Sequence, residues 1–403
     1  MAASRTSRRS GEPAVSAAHP GLANGPIYLD YNATTPVDPR VAGAMGPFLD
    51  AHFGNPSSAH AYGEEPRLAL AQAHAEVARL IGAPAGGIVF TGSGSEANNL
   101  AIRGAIIGAG TERPHVITQV SEHPSVIAAC RAAERLHHAE VTYLRVDKDG
   151  LVDPRTLAAA LTPETNLVSI MHANNETGVI QPVAELARMA HEHGALFHTD
   201  AAQTVGKMPV DVAELEVDLL TVVGHKMYAP KGVGALYVRP GLSLEPLVYG
   251  GGQENDMRSG TENVAAVVAL GLAAELAAAE LADNSGARLR ALRDRLHENL
   301  EQRLPRSVRL NGHVDQRLPH VLNVSIAGVR GEDLLAVAPG VAASTGSACH
   351  TGRAQASPVL TAMGCDDERS MSALRFSLGR WSTSNDADRA ADLIAAAHRR
   401  LVE

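Results

Sequence analysis

Lys226 is the residue whose surroundings most clearly permit chemistry. The 403-residue chain has only four lysines, so arginine supplies nearly all of its positive charge. Lys226 comes just after the apolar run 219–223, which is of strand type and is ended by Gly224. Open α/β sheets bind ligands beyond the carboxyl ends of their strands. An amine that is partly desolvated there has a lowered pKa and can attack an aldehyde to form a Schiff base. The plainer alternative is a surface lysine that follows a strand.

A glycine-rich segment follows a second apolar run at residues 88–91. The segment Gly92-Ser-Gly-Ser-Glu-Ala opens a predicted helix. Backbone N–H groups at a helix start bind anions and serine hydroxyls add donors, so we predict a phosphate site at Gly94 and Ser95. The same letters match the G-x-G-x-x-A pattern of dinucleotide-binding folds, which also needs an acid about 20 residues later at a strand end. Glu112 instead lies in a turn before strand 115–119, so a monophosphate is favoured.

An acid and an imidazole follow two other predicted strands. Asp200 comes after strand 195–198, and His123 heads a helix after strand 115–120. A phosphate anchor, an acid that keeps a pyridine nitrogen protonated and a Schiff-base lysine are the three requirements of pyridoxal phosphate. In this interpretation the His123 ring lies on the cofactor and offers a titratable group. Asp200 could instead cap a helix, and His123 could simply pack in the interior.

Cys349 lies in a different kind of segment from the other two cysteines. Residues 342–358 are small and polar, contain two glycines and show no helical stripe, which predicts an exposed, mobile loop. The exposed loop and the neighbouring His350 favour a reactive thiolate at Cys349, although a cysteine is commonly a small buried apolar residue. That second interpretation suits Cys130, which lies in an apolar helix, and Cys365 is left unassigned.

The repeated alternation of strand and helix predicts the fold class. Apolar residues share one face of a helix over 67–81, and further strands are predicted at 167–171 and 195–198. Polar residues recur at the strand ends. We therefore expect an α/β fold with a mostly parallel sheet, helices on both faces and one large site at the strand ends.

The chain is long enough for two domains and carries a distinct first segment. Residues 1–26 are rich in Ser, Ala, Gly and Pro, which favours a disordered tail over a mitochondrial transit peptide because no amphipathic stripe is present. We predict a large domain over 27–264 and a small α+β domain over 265–403. Helices are expected at 265–282, 287–304 and 386–402, and strands at 321–326 and 372–378.

Composition excludes several classes of protein. A net charge of −9 gives no basic face for nucleic acid. Three cysteines without metal-ligand spacing predict neither a disulfide framework nor a metal site and fit a reducing compartment. No apolar run approaches the roughly 20 residues that span a bilayer, so no membrane association is expected and a cytoplasmic protein is predicted.

Nine segments of the chain, taken in order, resemble the cysteine desulfurases and their near relatives, the selenocysteine lyases. The resemblance extends over about residues 27–390 and is carried by the following segments: Tyr28-Leu-Asp-Tyr-Asn-Ala-Thr-Thr-Pro, Gly54-Asn-Pro-Ser-Ser, Ser121-Glu-His, Ala173-Asn-Asn-Glu-Thr-Gly, Thr199-Asp-Ala-Ala-Gln, Gly224-His-Lys, Arg258-Ser-Gly-Thr, Ser347-Ala-Cys and Leu374-Arg-Phe-Ser-Leu-Gly-Arg. No single segment would suffice, but nine in order leave little room for chance.

The resemblance implies a homodimeric enzyme of fold type I in the class V aminotransferase group, with a large pyridoxal-phosphate-binding domain. Carried over residue by residue, it implies that Lys226 holds the cofactor, Asp200 pairs with the ring nitrogen and His123 stacks on the ring. The remaining implied roles are Gln203 and Asn175 on the ring hydroxyl or substrate, Gly94, Ser95 and His225 on the phosphate, Thr261 reaching that phosphate from the other subunit, and Arg375 on the substrate carboxylate. Val223 departs from the pattern, since many desulfurases have a phosphate-binding serine there.

The implied reaction converts L-cysteine to L-alanine and leaves the sulfur on Cys349 as a persulfide for an acceptor protein, possibly an iron–sulfur scaffold. A selenocysteine lyase stays open, because Val223 and His350 lean towards it while Pro124 leans against it. An aminotransferase, which would not need Cys349, is the more distant alternative. A non-enzymatic scaffold role is disfavoured because Lys226, Asp200 and Cys349 are all intact.

Overall fold

The computed structural model describes residues 18–345 and 356–403. The strands within these ranges are β1 Ile27–Tyr28, β2 Ile88–Thr91, β3 His115–Gln119, β4 Glu140–Leu144, β5 Thr165–Ser169, β6 Leu196–Asp200, β7 Leu219–Val223, β8 Gly234–Val238, β9 Val308–Leu310, β10 Val321–Ile326, β11 Val341–Ala342 and β12 Ala373–Ser377. The α-helices are α1 Pro39–Met45, α2 Glu64–Leu80, α3 Gly94–Asn99, α4 Ala105–Gly108, α5 Pro124–His137, α6 Pro154–Ala160, α7 Val183–Glu192, α8 Val264–Ala282, α9 Ser285–Arg303, α10 Gly331–Val337, α11 Pro358–Ala362, α12 Asp367–Met371 and α13 Ser384–Val402.

A seven-stranded sheet forms the centre of the larger part of the chain. Its strand order is β2-β8-β7-β6-β5-β3-β4. Only β8 runs against its neighbours, so the carboxyl ends of the other six strands meet at one edge. The sheet confirms the predicted α/β class with a mostly parallel sheet.

Helices cover both faces of this sheet. Neighbouring residues of β3 point to opposite sides, Val116 into a cluster with α3, α4 and α5 and Ile117 into a larger cluster with α2, α7 and α8. All five residues of β7 are buried, which is expected of a strand covered on both faces.

A second sheet lies in the C-terminal part of the chain. Its order is β12-β10-β9 with antiparallel pairing, and it packs with α9, α10 and α13 around a separate apolar cluster. Residues 27–29 join this part, because β1 pairs with β11 and Leu29 belongs to its cluster. Helix α8 instead packs in the larger cluster. The domain boundary near residue 264 stays a prediction.

Two further segments bear on the sequence analysis. The predicted disordered tail extends to residue 26, but residues 18–26 contain a short 3-10 helix, Pro20–Leu22, and the His19 ring lies 4.7 Å from that of Trp381.

In the described ranges, α8 is the one helix long and apolar enough to cross a membrane. About half of its residues are buried, and most of these belong to the larger apolar cluster, which also contains residues of α2.

Candidate active site

The shared edge of the central sheet brings several of the sequence-predicted residues together. Asp200 is the last residue of β6, and Lys226 lies in the short helical turn after β7. His123 lies between β3 and α5, and Asn175 lies in the loop that follows β5. Because β3, β5, β6 and β7 run in the same direction, all four side chains belong to one edge.

The Lys226 amine is held by backbone carbonyl groups. Its Nζ donates to the carbonyl oxygens of Asn32 at 2.6 Å and Ala33 at 2.8 Å. Burial, reinforced by the charge of Arg375, lowers the pKa of Lys226 to about 8, although the carboxylates of Asp200 and Asp30 oppose the shift. Roughly half of such an amine is neutral at pH 8, so a nucleophilic form is readily available.

Asp200 is buried and receives its hydrogen bonds from uncharged groups. Asn98 Nδ2 donates to Asp200 Oδ2 at 2.8 Å, and the backbone N–H of Ala202 donates to Oδ1 at 3.0 Å. The residues after Asp200 form turns instead of an α-helix, so the helix-capping alternative does not apply. A buried carboxylate of this kind suits a cationic ring nitrogen.

His123 caps the start of α5, and it is an exposed residue. Its Nδ1 accepts from the backbone N–H of Ser125 at 3.2 Å and lies 2.8 Å from Ser125 Oγ. Pro124 at the first helical position needs no N–H partner, which favours a helix start here. Surrounding protein atoms desolvate the ring and lower the pKa of His123; Lys226 adds to this shift and Asp200 opposes it.

The start of α3 forms the predicted phosphate cradle. Ser93 caps the helix by accepting from the Glu96 N–H at 3.1 Å, while Ser95 is exposed. A Cβ placed on Gly94 would lie 2.3 Å from Val223 Cγ2, so only glycine fits beside this valine. The His225 Nδ1 lies 3.2 Å from Thr34 Oγ1, and burial lowers the pKa of His225 to about 4, so its ring is neutral at pH 7.

Behind the site, the predicted residue Gln203 belongs to a buried polar cluster whose other members, Lys207, Asn32 and His320, were given no role in the sequence analysis. Gln203 Nε2 donates to the carbonyl oxygen of Asn32 at 3.2 Å, and Lys207 Nζ donates to Gln203 Oε1 at 3.2 Å. His320 Nε2 lies 3.0 Å from Asn32 Oδ1. Burial, with the charges of Lys226 and Arg375, lowers the pKa of Lys207 to about 7. The scarcity of lysine was the one sequence signal that could have drawn attention to Lys207.

Arg375, on β12 of the second sheet, reaches this edge of the central sheet. Its Nη2 donates to Asp30 Oδ1 at 2.7 Å, and its Nη1 donates to the carbonyl oxygen of Asn175 at 3.0 Å. Its buried Nε has no hydrogen-bond partner among the described residues. The guanidinium group therefore retains a donor for an anionic ligand.

Two buried glutamates accompany these residues and were also missed. Glu122 Oε1 accepts from the Met171 N–H and from Gln119 Nε2, and burial raises the pKa of Glu122 to about 8. Glu176 accepts from Ser357 Oγ, and burial raises the pKa of Glu176 to about 7. Both acids lie inside the family-like segments 121–123 and 173–178, which was the available signal.

Two of the predicted site residues are not placed at this edge. Thr261 is exposed in the segment before α8. Cys349 lies outside the described residues.

In residues 18–345 and 356–403 no group of three or more His, Cys, Asp or Glu side chains is arranged to hold a metal ion.

The residues present fit pyridoxal phosphate. The buried Asp200 carboxylate has only uncharged hydrogen-bond donors, the Lys226 amine has a lowered pKa, and the cradle at Gly94 begins a helix. These groups match a ring nitrogen, an aldehyde and a phosphate respectively.

Comparison with known proteins gives one consistent result. The model of the family described as aminotransferase class-V matches residues 27–390. A protein named cysteine desulfurase IscS from Dictyoglomus turgidum is 47% identical over 370 residues, which cover 91% of this chain and 93% of that protein. A protein of the same name from Anaeromyxobacter dehalogenans is 47% identical over 381 residues, or 94% of each chain.

Solved structures agree with the sequence relatives. A structure described as a NifS-like protein superposes with a TM-score of 0.86 at 34% identity, covering 93% of this chain and 100% of that chain. A structure described as SspA in complex with cysteine gives a TM-score of 0.78 at 35% identity, covering 88% and 99% respectively.

Proposed function

This chain belongs to the aminotransferase class-V family, and on that premise we propose that it is a cysteine desulfurase that uses pyridoxal phosphate. The reaction converts L-cysteine to L-alanine and leaves the sulfur on Cys349 as a persulfide. The observation that carries the proposal is the similarity to proteins named cysteine desulfurase. The identity is 47% over more than nine tenths of both chains.

Each part of the cofactor has a proposed partner in the chain. Lys226 would bind its aldehyde, Asp200 its ring nitrogen and His123 the face of its ring. Gly94, Ser95 and His225 would hold its phosphate, and Gln203 and Asn175 would contact its hydroxyl or the substrate. When bound, pyridoxal phosphate supplies an electrophilic aldehyde and an electron sink for the bonds at the substrate α-carbon.

The proton chemistry falls to Lys226. Its Nζ has a pKa of about 8, so it can both lose and regain a proton near neutral pH. The carbonyl oxygens of Asn32 and Ala33 hold Nζ in place. Asp200 would support a positive charge on the ring nitrogen, because both of its hydrogen-bond partners are uncharged donors and bring no competing charge.

Arg375 is the proposed ligand of the substrate carboxylate. Its Nε is buried without a partner among the described residues, and its two terminal nitrogens are already held by Asp30 and Asn175. A planar guanidinium group fixed in this way is suited to a carboxylate.

Cys349 is the proposed sulfur acceptor within the enzyme. Its thiolate attacks the sulfur of cysteine, a new S–S bond forms and the C–S bond breaks. The carbon skeleton takes up a proton and leaves as alanine, so one thiol and one cysteine give one persulfide and one alanine. The persulfide would then pass to a sulfur-acceptor protein, for which an iron–sulfur scaffold is the proposed class.

We also propose a cytoplasmic homodimer. Exposed apolar side chains favour an interface between copies, and they include Leu49 and the paired rings of Phe53 and Tyr62, whose centroids lie 5.4 Å apart. Thr261 is exposed, as required of a residue that would reach the phosphate of the other subunit.

The test is alanine production from cysteine and from selenocysteine, measured side by side. Wild type is expected to be yellow and to turn over cysteine, Lys226→Ala to lose both the cofactor absorbance and turnover, and Cys349→Ser to lose sulfide release with the absorbance intact. Colourless wild-type protein that takes up no pyridoxal phosphate would overturn the proposal.

A selenocysteine lyase is the second candidate, since Val223 lies against the phosphate cradle where many desulfurases have serine. Turnover of selenocysteine without turnover of cysteine would favour it. Full activity of Cys349→Ser with a keto-acid acceptor would favour an aminotransferase.

A further inference from the structure

Two groups of Ser125, its backbone N–H and its hydroxyl, lie within hydrogen-bond distance of the His123 ring nitrogen Nδ1. The backbone N–H of Ser125 points at Nδ1 at 3.2 Å, and a backbone N–H can only donate. Ser125 Oγ lies 2.8 Å from the same nitrogen. An imidazole nitrogen that accepts a hydrogen bond carries no proton, so a neutral His123 must carry its proton on Nε2.

Asn98 determines which hydrogen bond Ser125 Oγ accepts, and so leaves the hydroxyl proton for another partner. Asn98 Nδ2 lies 2.9 Å from Ser125 Oγ and 2.8 Å from Asp200 Oδ2. An ionised carboxylate accepts only, so the amide must present its NH₂ group and not its oxygen to Asp200. The second N–H of that group occupies Ser125 Oγ as an acceptor. The serine hydroxyl proton is then free to point to His123 Nδ1.

We propose that Asn98 and Ser125 are positioning residues that link Asp200 to His123 and hold the His123 ring as the Nε2–H tautomer. We call the four residues Asp200, Asn98, Ser125 and His123 the donor chain. Asn98 is buried and donates in both directions, so the donor chain cannot carry a proton from Asp200 to His123. It orients both groups and presents a proton, not a lone pair, on the far nitrogen of the ring.

Two features of Asn98 support a built arrangement. Its Oδ1 is buried without a hydrogen-bond partner among the described residues. The position of the amide therefore favours the two bonds from Nδ2 at the expense of a bond to Oδ1. Its helix, α3, also begins with the proposed phosphate cradle, and Ser125 lies in the first turn of α5. The donor chain thus ties two helix starts to the strand end that carries Asp200.

The consequence for the site rests on the proposed function. With Nε2 protonated, His123 approaches the cofactor and substrate as a hydrogen-bond donor, and the task of removing a proton is left to Lys226. The charged groups that bear on the His123 ring are Asp200 and Lys226, and their effects on its charge oppose each other.

The tautomer can be measured without turnover. The full-length chain would be labelled with ¹⁵N-histidine, with and without bound pyridoxal phosphate, and its ring nitrogens observed by magic-angle-spinning NMR. The His123 signals, among 18 histidines, are those lost in His123→Gln. We expect an unprotonated Nδ1 and a protonated Nε2 in wild type. A protonated Nδ1 would overturn the proposal.

Variants test the two positioning residues. Loss of one hydrogen bond corresponds to about a two- to tenfold change in an equilibrium, so Ser125→Ala and Asn98→Ala should each raise the Nδ1–H share by that factor. Both variants should lower kcat for cysteine while leaving KM unchanged. Ser125→Thr keeps the hydroxyl, so its tautomer ratio and its kcat should be those of wild type.

Ser370→Ala is the matched control, because it removes a buried hydroxyl that has no hydrogen-bond partner among the described residues. It should leave the tautomer ratio unchanged. An unaltered ratio in both Ser125→Ala and Asn98→Ala would refute the donor chain. If wild type shows the Nε2–H tautomer but does not turn over cysteine, the proposed function fails and the donor chain stands.

Discussion

Gly94 and Val223 meet so closely that neither position is independent of the other. An alanine Cβ at position 94 would lie 2.3 Å from Val223 Cγ2, well inside contact distance. Gly94→Ala is expected to destabilise the protein by about 1–3 kcal/mol, the usual range for overpacking, and to weaken pyridoxal phosphate binding at least about tenfold. Denaturant unfolding and titration of the cofactor absorbance would measure the two effects.

The double variant Gly94→Ala/Val223→Ala provides the control for this contact. Shortening Val223 removes the Cγ2 atom, and the next nearest atom, Val223 Cβ, lies at an ordinary 3.5 Å from the added methyl group. Most of the lost stability should return. A double variant as unstable as Gly94→Ala would show that the contact does not explain the glycine.

Lys207 is a buried amine whose charge is unfavourable in the folded protein. Burial lowers its pKa to about 7, whereas an unfolded lysine titrates near 10.4. At any pH below 7 the folded state must hold the proton without water, and the resulting destabilisation fades as the pH rises from 7 to 10. The free energy of unfolding of Lys207→Met should therefore be larger than that of wild type. The difference should be greatest at pH 6 and smallest at pH 9.

The same substitution should weaken cofactor binding, because Gln203 Oε1 loses the Lys207 hydrogen bond at 3.2 Å that orients it. Urea unfolding at pH 6, 7.5 and 9, together with cofactor titration, separates the two effects. Lys231→Met, at an exposed position, is the matched control and should show neither. A stability gain independent of pH would contradict the assigned cause.

At the scale of elements, a buried carboxyl joins the loop after β5 to the start of α11. Ser357 caps α11 by accepting from the Leu360 N–H and donates its hydroxyl to Glu176. Burial raises the pKa of Glu176 to about 7, from an ordinary value of 4.5. The neutral acid is thus favoured by folding, and this contribution is present below pH 4.5 and lost as the pH rises through 7.

Glu176→Gln keeps the shape of this side chain and removes its titration. We expect the variant to be about 1–3 kcal/mol more stable than wild type at pH 8 and to lose this advantage at pH 4.5. Thermal unfolding across that range is the measurement, and Glu185→Gln on the exposed face of α7 is the control. An equal effect at both pH values would exclude titration of Glu176 as the cause.

The elements also show what local sequence can specify. Strands 219–223 and 321–326 were predicted with their observed bounds. The first is a mostly apolar run that Gly224 ends, and the second is rich in β-branched and other apolar residues. The strand predicted at 195–198 extends to Asp200, since a polar residue does not reveal on its own whether it still pairs with a neighbouring strand. The reversed direction of β8 was not predicted, because pairing direction depends on the path of the chain.

The site shows the same limit. Lys226, Asp200 and His123 could be found because each follows a strand and strand ends meet. Asn32 and His320 could not, since only the assembled fold brings Asn32 to Gln203 and His320 to Asn32. Lys207 is only four residues from Gln203, but the sequence does not show that its amine is buried. Ser125 looks like an ordinary residue of a helix start until Asn98 is placed beside it.

At the scale of the whole molecule, the exposed ring pair of Phe53 and Tyr62 is the clearest feature that a single subunit leaves uncovered. Phe53 is 70% exposed and Tyr62 is 66% exposed, and both flank a loop that contains Gly54. Gly54 is confined there, since a Cβ would lie 1.8 Å from the Tyr62 carbonyl oxygen. A loop held in this way presents both rings in a fixed arrangement.

If this surface joins two subunits, Phe53→Asp should convert the dimer to a monomer, because an unpaired charge buried in an apolar contact costs several kcal/mol. The monomer should also bind pyridoxal phosphate more weakly, since it would lack the proposed contact from Thr261 of the other subunit. Sedimentation velocity and cofactor titration on the same samples measure both. Leu136→Asp is the matched control, because Leu136 is also an exposed apolar residue, at 52%, but lies on α5, and it should leave the assembly unchanged. A Phe53→Asp protein that sediments like wild type would place the interface elsewhere, and a wild type that is already monomeric would refute the dimer itself.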